Sequence, residues 1–360
     1  MVASQPLAPS DNTDQPRSIG RRISSRVLRL CVPIPKGKTV RSKMGWIGRR
    51  IVYWYLIILV MLSLFQRYLI YQPTRAEVID PQYSGLGAGR VEEIHVPTAD
   101  GMQLNGWCVK AFAASRDADH SGSANGGSAN GGSADRPTVI YFPGNAGHRG
   151  YRAIELDQLS RLGADAILVD YRGYGDNPGK PSEENFAADA QAVWKFVTTT
   201  RHVKPPQIVL LGESLGGGVA SRLASELSQA GTPPGGLILR STFASLAEVA
   251  SCHYRWLPVK LFLIDRFPSA ERVAKVTCPV LVVHGNVDTI VPFESGKRLF
   301  DAAPGVSANS IPKTLVVLPG TGHNDVQDVA AKPYGAAIKQ FLDRIKPGAA
   351  PAHAESAAGH

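Results

Sequence analysis

The stretch IVLLGESLGGGVASRL (residues 208–223) joins an apolar run to a helical sequence through a G-x-S-x-G pattern at Gly212–Gly216. A chain with 36 glycines produces that pattern readily by chance, so its meaning rests on its setting. Residues 208–212 read as a buried strand and residues 215–229 as a helix. A serine on the sharp turn between a strand and a helix is a presented nucleophile, and Gly212 and Gly216 let such a turn pack tightly. Gly217 and Gly218 extend the point. Each costs a helix roughly 1 kcal/mol relative to alanine, so close backbone packing is expected there. Ser214 is the expected nucleophile.

Strands and helices alternate on both sides of this stretch. VEEIHVP (91–97) and LNGWCVKAF (104–112) read as two strands around a turn. TVIYF (138–142), AILVD (166–170), LILR (237–240), VLVVHG (280–285) and TLVVLP (314–319) are further strands. Helices are expected at about 149–162, 181–197, 293–303 and 325–345, the second with Ser182 as N-cap. Short apolar runs separated by helices predict an α/β fold whose mostly parallel central sheet is covered on both faces.

In such a sheet ligands bind at the carboxyl ends of the strands, which narrows the choice of partners for Ser214. A serine hydroxyl needs a base, and the base needs an orienting carboxylate. Of the nine histidines, His323 follows the last strand on the glycine-rich loop LPGTGHND and is the expected base. His284 ends a strand and reads as a packed structural histidine. Asp288 lies three residues beyond VLVVHG and is the expected acid; Asp325 is too close to His323 in sequence to reach the ring's far nitrogen. The oxyanion of an acyl-transfer intermediate needs two backbone N–H donors. Leu215 should supply one and Asn145, in the loop PGNAG (143–147), the other, with Ala146 the next choice. The chain order Ser, Asp, His is that of the α/β-hydrolase fold.

The formal net charge of +9 is not spread over the chain. Residues 1–50 hold eleven Lys/Arg and two Asp, which is the whole excess; the remainder is neutral. A basic leader on a neutral body argues against a nucleic-acid partner. The apolar run IVYWYLIILVMLSLF (51–65), extended by QRYLIY to residue 71, is about the length of a membrane span. Arg49 and Arg50 place the leader in the cytoplasm by the positive-inside rule, and so the catalytic domain outside it. A cleaved signal peptide and a buried core helix are the competing readings, and Met44 is an alternative start. The expected organisation is a leader at 1–50, a signal-anchor at 51–71, a catalytic domain at 72–346 with a flexible Ser/Gly/Asn-rich loop at 121–135, and a disordered tail at 347–360. Cys31, Cys108, Cys252 and Cys278 lack metal-ligand spacing, so neither metal nor cofactor is expected; a Cys252–Cys278 disulfide stays open.

The pieces YLIYQPTR, YFPGNAG, VDYRGYGDNPGKPSEENFAADAQAV, GESLGGGVASRLA, RSTFASL, CPVLVVHGNVDTIVP and GTGHND together resemble the membrane-anchored α/β-hydrolases of the ABHD type and their bacterial relatives. The resemblance covers about residues 68–345. It implies a serine hydrolase acting on lipid-like or acylated esters and thioesters, with Asp170 and Arg172 as loop braces. Pro143 departs from the pattern, since such proteins usually carry histidine there to orient the loop. A serine peptidase of the same fold and a non-enzymatic membrane-tethered binding protein are the alternatives. The apolar segment 253–268 follows LILR, where such folds carry a lid; an ordinary core helix is its expected reading, a wall of an acyl groove the other.

Overall fold

The computed structural model describes residues 39–87, 89–112 and 136–346. The expected loop at 121–135, the tail at 347–360 and residues 1–38 of the leader lie outside the described residues. The chain divides into two units, Met1–Met61 and Leu62–His360.

Helix α1 (Val40–Ile70) starts eleven residues before the expected span. The residues between Val40 and Arg50 include good helix formers, and Arg50 lies 4.5 Å over the Trp46 ring one turn away. Its stretch Met44–Ile70 is long and apolar enough to cross a membrane. Ile51, Val52, Leu56, Val60 and Leu64 are exposed along it. The helix stops at Ile70 because Pro73 follows, which has no N–H and drives Gln72 to extended geometry.

The second unit is built on eight strands: β1 (Val91–Pro97), β2 (Gln103–Val109), β3 (Thr138–Phe142), β4 (Asp165–Val169), β5 (Ile208–Glu213), β6 (Gly236–Arg240), β7 (Val280–Gly285) and β8 (Thr314–Leu318). Their order across the sheet is β1-β2-β4-β3-β5-β6-β7-β8. β1 pairs antiparallel with β2, and β2 with β4; every pairing from β4 to β8 is parallel. β3, β6 and β7 are buried at every residue. That explains their mostly apolar sequences: both faces are covered, and strict alternation would put a polar group in the core at every second position.

Helices α2 (Ala153–Arg161), α3 (Glu183–Lys195) and α4 (Leu215–Gln229) connect the central strands. Ser182 caps α3 as expected, accepting from Asn185 N. Between β6 and β7 come α5 (Leu246–His253), α6 (Val259–Phe262) and α7 (Ser269–Val273), then α8 (Phe293–Ala302) after β7. The expected helix at 325–345 is two, α9 (Val326–Val329) and α10 (Ala331–Arg344). Pro333 cannot donate to the preceding turn, so it sits in a fresh first turn instead. The core-helix reading of 253–268 is corrected: α6 is one turn long, and Trp256, Leu261, Phe262 and Ile264 face outward. Cys252 and Cys278 are both free thiols, the first exposed and the second buried.

Candidate active site

Ser214 stands between β5 and α4 with φ 50° and ψ −116°, a left-handed conformation that costs a non-glycine residue strain. The packing around it holds it there. Ser214 N donates to Arg240 O at 2.9 Å, Thr242 Oγ1 donates to Ser214 O at 2.6 Å, and Gly217 N donates to the same oxygen at 3.0 Å. A β-carbon on Gly216 would overlap the carbonyl oxygen of Phe142, and one on Gly217 would overlap the Thr242 side chain. The glycines let β3, β5 and α4 close onto the turn, leaving the hydroxyl at its tip.

His323, on the loop after β8, sets Nε2 3.0 Å from Ser214 Oγ. Its Nδ1 lies 2.7 Å from Asp288 Oδ2, so the carboxylate holds the proton on Nδ1 and leaves the Nε2 lone pair facing the hydroxyl. Asp288 Oδ1 accepts from Ile290 N at 2.9 Å and Val291 N at 2.8 Å. Burial alone would raise its pKa. The hydrogen bonds from His284, His323 and Val291 N outweigh burial and hold the carboxyl well below the usual range. The arrangement is a hydroxyl, an imidazole and a fixed anion in a line along which a proton can move one bond.

The loop after β3 runs against this line. A methyl group on Gly144 would lie 3.6 Å from Ser214 Cβ. As the first residue of α4, Leu215 has an N–H without an intrahelical acceptor. The Asn145 side chain is occupied elsewhere: Nδ2 donates to Ile70 O at 2.5 Å and Oδ1 accepts from Tyr174 OH at 2.9 Å. Gln72–Pro73 pairs parallel with Ala146–Gly147, a two-residue ladder that ties the exit of α1 to this loop. The carbonyl of Pro143 accepts from Tyr171 OH at 3.0 Å, which positions the loop where the resembling proteins use histidine.

Beneath the elbow Glu213 forms an ion pair with Arg240 at 2.6 Å, lies 3.7 Å from Arg152, and accepts from Tyr141 OH. Burial would raise its pKa, but Arg240 and Arg152 outweigh that and bring it to about 2. A carboxyl at about 2 when folded and 4.5 when not adds roughly 3 kcal/mol above pH 4.5. That stability is lost as pH falls from 4.5 towards 2. Glu213→Gln is therefore expected to lose a few kcal/mol at neutral pH and to show a flatter acid limb in urea melts run from pH 7 to pH 3. An unchanged acid limb would rule this account out. The cluster opens on a cleft of about 540 Å³ walled by Thr74, Gly147, Tyr151, Arg152, His323 and Asn324.

Ser214, His323 and Asp288, inferred from separate strand ends, are thus brought together in one hydrogen-bonded line. Asp325 is not part of it; its Oδ1 accepts from Gly322 N at 2.7 Å and shapes the loop. His284 is fully buried, as a packed histidine should be, yet its Nε2 also lies 3.3 Å from Asp288 Oδ2 and 2.9 Å from Val291 O. Its spacing of four from Asp288 was the available signal. Asp170 and Arg172 brace their loop through Arg149 at 2.7 Å and Asp189 at 2.9 Å. Among the described residues no cluster of three or more His, Cys, Asp or Glu could hold a metal.

A family model described as the alpha/beta hydrolase fold matches residues 137–277. An uncharacterised protein of Mycobacterium tuberculosis is 42% identical over 277 residues, which cover 77% of this chain and 87% of that protein. The lysophosphatidylserine lipase ABHD12 of Danio rerio is 31% identical over 290 residues, covering 73% of this chain and 74% of the relative. Among solved structures, the Pyrococcus furiosus esterase Pf2001 superposes with a TM-score of 0.55 at 18% identity, over 76% of this chain and 98% of that one. That last likeness is one of fold.

Proposed function

The chain belongs to the ABHD-type α/β-hydrolase family, and from that premise we propose that it is a membrane-anchored serine hydrolase that cleaves acyl esters of lipids. The observation that carries the reading is the Ser214–His323–Asp288 line, with Oγ 3.0 Å from a ring nitrogen whose partner nitrogen is fixed by a buried carboxylate. Ser214 Oγ attacks the ester carbonyl carbon while His323 Nε2 takes its proton. The Leu215 and Asn145 N–H groups hold the developing oxyanion. Asp288 stabilises the imidazolium, which returns the proton to the departing alcohol. Water then enters by the same route and releases the fatty acid. The lipid class follows from the relative that bears a lipase name and from the apolar helix preceding the domain. In this reading Met44–Ile70 crosses the membrane, with Arg49 and Arg50 on the cytoplasmic side and the hydrolase domain on the other.

Labelling tests it. Full-length protein in detergent is treated with a fluorophosphonate and the adduct mapped by peptide mass spectrometry. One adduct, on the peptide containing Ser214, is the expected result. A folded protein left unlabelled, or labelled on another serine, overturns the nucleophile assignment. A parallel panel of monoacyl glycerophospholipids, water-soluble short esters and peptide amides should show ester turnover and no amide turnover; the reverse would favour a peptidase.

A further inference from the structure

The segment Tyr254–Ile264, containing α6, leaves five large apolar side chains in solvent. Leu261 is 75% exposed, Ile264 64% and Trp256 63%, with Tyr254 and Phe262 about half exposed. A soluble surface scatters such residues singly; five within eleven positions form a patch that wants an apolar partner. Arg255, Lys260 and Arg266 are exposed along the same segment, and its one acidic neighbour, Asp265, is buried and paired. Apolar side chains interleaved with bases suit the boundary between lipid headgroups and acyl chains.

A second observation identifies the partner. The patch is fastened to the last turns of α1. Gln66 Nε2 donates to Phe262 O at 3.3 Å, and Ile264 N donates to Gln66 Oε1 at 2.7 Å. Arg67 makes a two-pronged ion pair with Asp265 at 2.9 and 3.1 Å, and Tyr71 OH donates to Asp265 Oδ2 at 2.9 Å. From Ile51 to Ile70 the helix rises roughly 29 Å, about the thickness of a hydrocarbon core. Gln66 and Arg67 then fall within the outer margin of that layer, where an amide or a guanidinium needs a protein partner. The patch segment supplies those partners, so it must lie at the depth of Gln66.

We propose that Tyr254–Ile264 is a lipid-facing surface that sits in the headgroup–acyl boundary where α1 leaves the bilayer. The proposal rests on the reading of Met44–Ile70 as a membrane span. The residue just before this segment, His253 at the end of α5, reaches the active-site rim: its Nε2 donates to Ile290 O at 2.9 Å, and Ile290 N donates to Asp288. A lipid ester can therefore approach Ser214 along this surface without its acyl chain crossing water.

Tryptophan quenching in vesicles tests both layers separately. Full-length wild type, Trp256→Phe and Trp54→Phe are reconstituted in mixed neutral and anionic phospholipid, with and without chains brominated near the headgroup. The emission lost on Trp256→Phe should be quenched by brominated lipid by roughly half or more. The emission lost on Trp54→Phe reports insertion of the helix itself. If Trp54 is quenched and Trp256 is not, the surface proposal falls and the anchor stands; if neither is quenched, both fall. Trp256 shielded from bromolipid and from aqueous iodide alike would mean a second copy or another protein covers the patch, which also overturns it. As a second measure, Leu261→Asp/Ile264→Asp should lower the ratio of vesicle-embedded to water-soluble ester turnover by about tenfold. An unchanged ratio counts against the proposal.

Discussion

Ser214→Ala is expected to lower kcat for ester hydrolysis by about a millionfold while the protein stays folded. The alanine removes the attacking oxygen and leaves the His323–Asp288 pair intact, so what survives is binding and oxyanion stabilisation. Asp288→Asn should cost about ten-thousandfold. An asparagine cannot accept from His323, His284, Ile290 N and Val291 N together. Its amide would present N–H groups to His323 Nδ1 and favour the tautomer that keeps the proton on Nε2, where Ser214 needs a lone pair. The double variant should be no slower than Ser214→Ala alone, because the three groups act as one unit. Steady-state rates on a chromogenic short-chain ester, with circular dichroism to verify folding, decide the matter. A Ser214→Ala protein that keeps more than about a tenth of wild-type kcat would remove Ser214 from the mechanism.

Gly216→Ala is expected to be among the most damaging single-methyl additions at the described glycines. The new β-carbon would overlap the Phe142 carbonyl oxygen and lie 2.5 Å from its carbon, and both are backbone atoms of a fully buried strand. Neither side can yield without parting α4 from β3, so the cost should reach at least about 3 kcal/mol. That is a large share of the roughly 5–15 kcal/mol that stabilises an ordinary domain. Gly163→Ala is the control for glycine loss alone, since its φ of 89° brings strain but nothing stands within 4 Å. Urea melts of the two variants should differ by more than their error, with Gly216→Ala the weaker. Equal midpoints would mean the elbow tolerates separation and that its glycines are not there for packing.

Several features of the fold could be read directly from the residues. β3, β6 and β7 announce themselves because burial on both faces leaves them mostly apolar, with Thr138, Arg240 and His284 the exceptions at or near their ends, and the end of the apolar run then marks the strand end. Ser214, Asp288 and His323 were legible for the same reason: each stands just past such an end. Contacts between distant residues that do not stand at strand ends were not legible. Gln72–Pro73 pairs with Ala146–Gly147 across more than seventy positions, and two residues make no periodic pattern. Glu213 and Arg240 are charges inside apolar strands, which sequence alone cannot tell from surface positions until their 2.6 Å pairing is seen. The segment 253–268 failed differently. Its apolarity was evident, but apolar residues facing lipid and apolar residues facing a core have the same composition.

The ladder between the exit of α1 and the loop carrying Asn145 bears on how the domain could be released from a membrane. Ile70 O, Gln72 and Pro73 are among the supports of that loop, so the exit of α1 and the candidate active site share residues. A protease that cut the chain at the foot of the helix would free a domain already missing part of its own scaffold. On the proposed anchoring by Met44–Ile70, shedding, which turns many anchored enzymes into soluble ones, would here act as an off switch and would confine activity to the membrane surface.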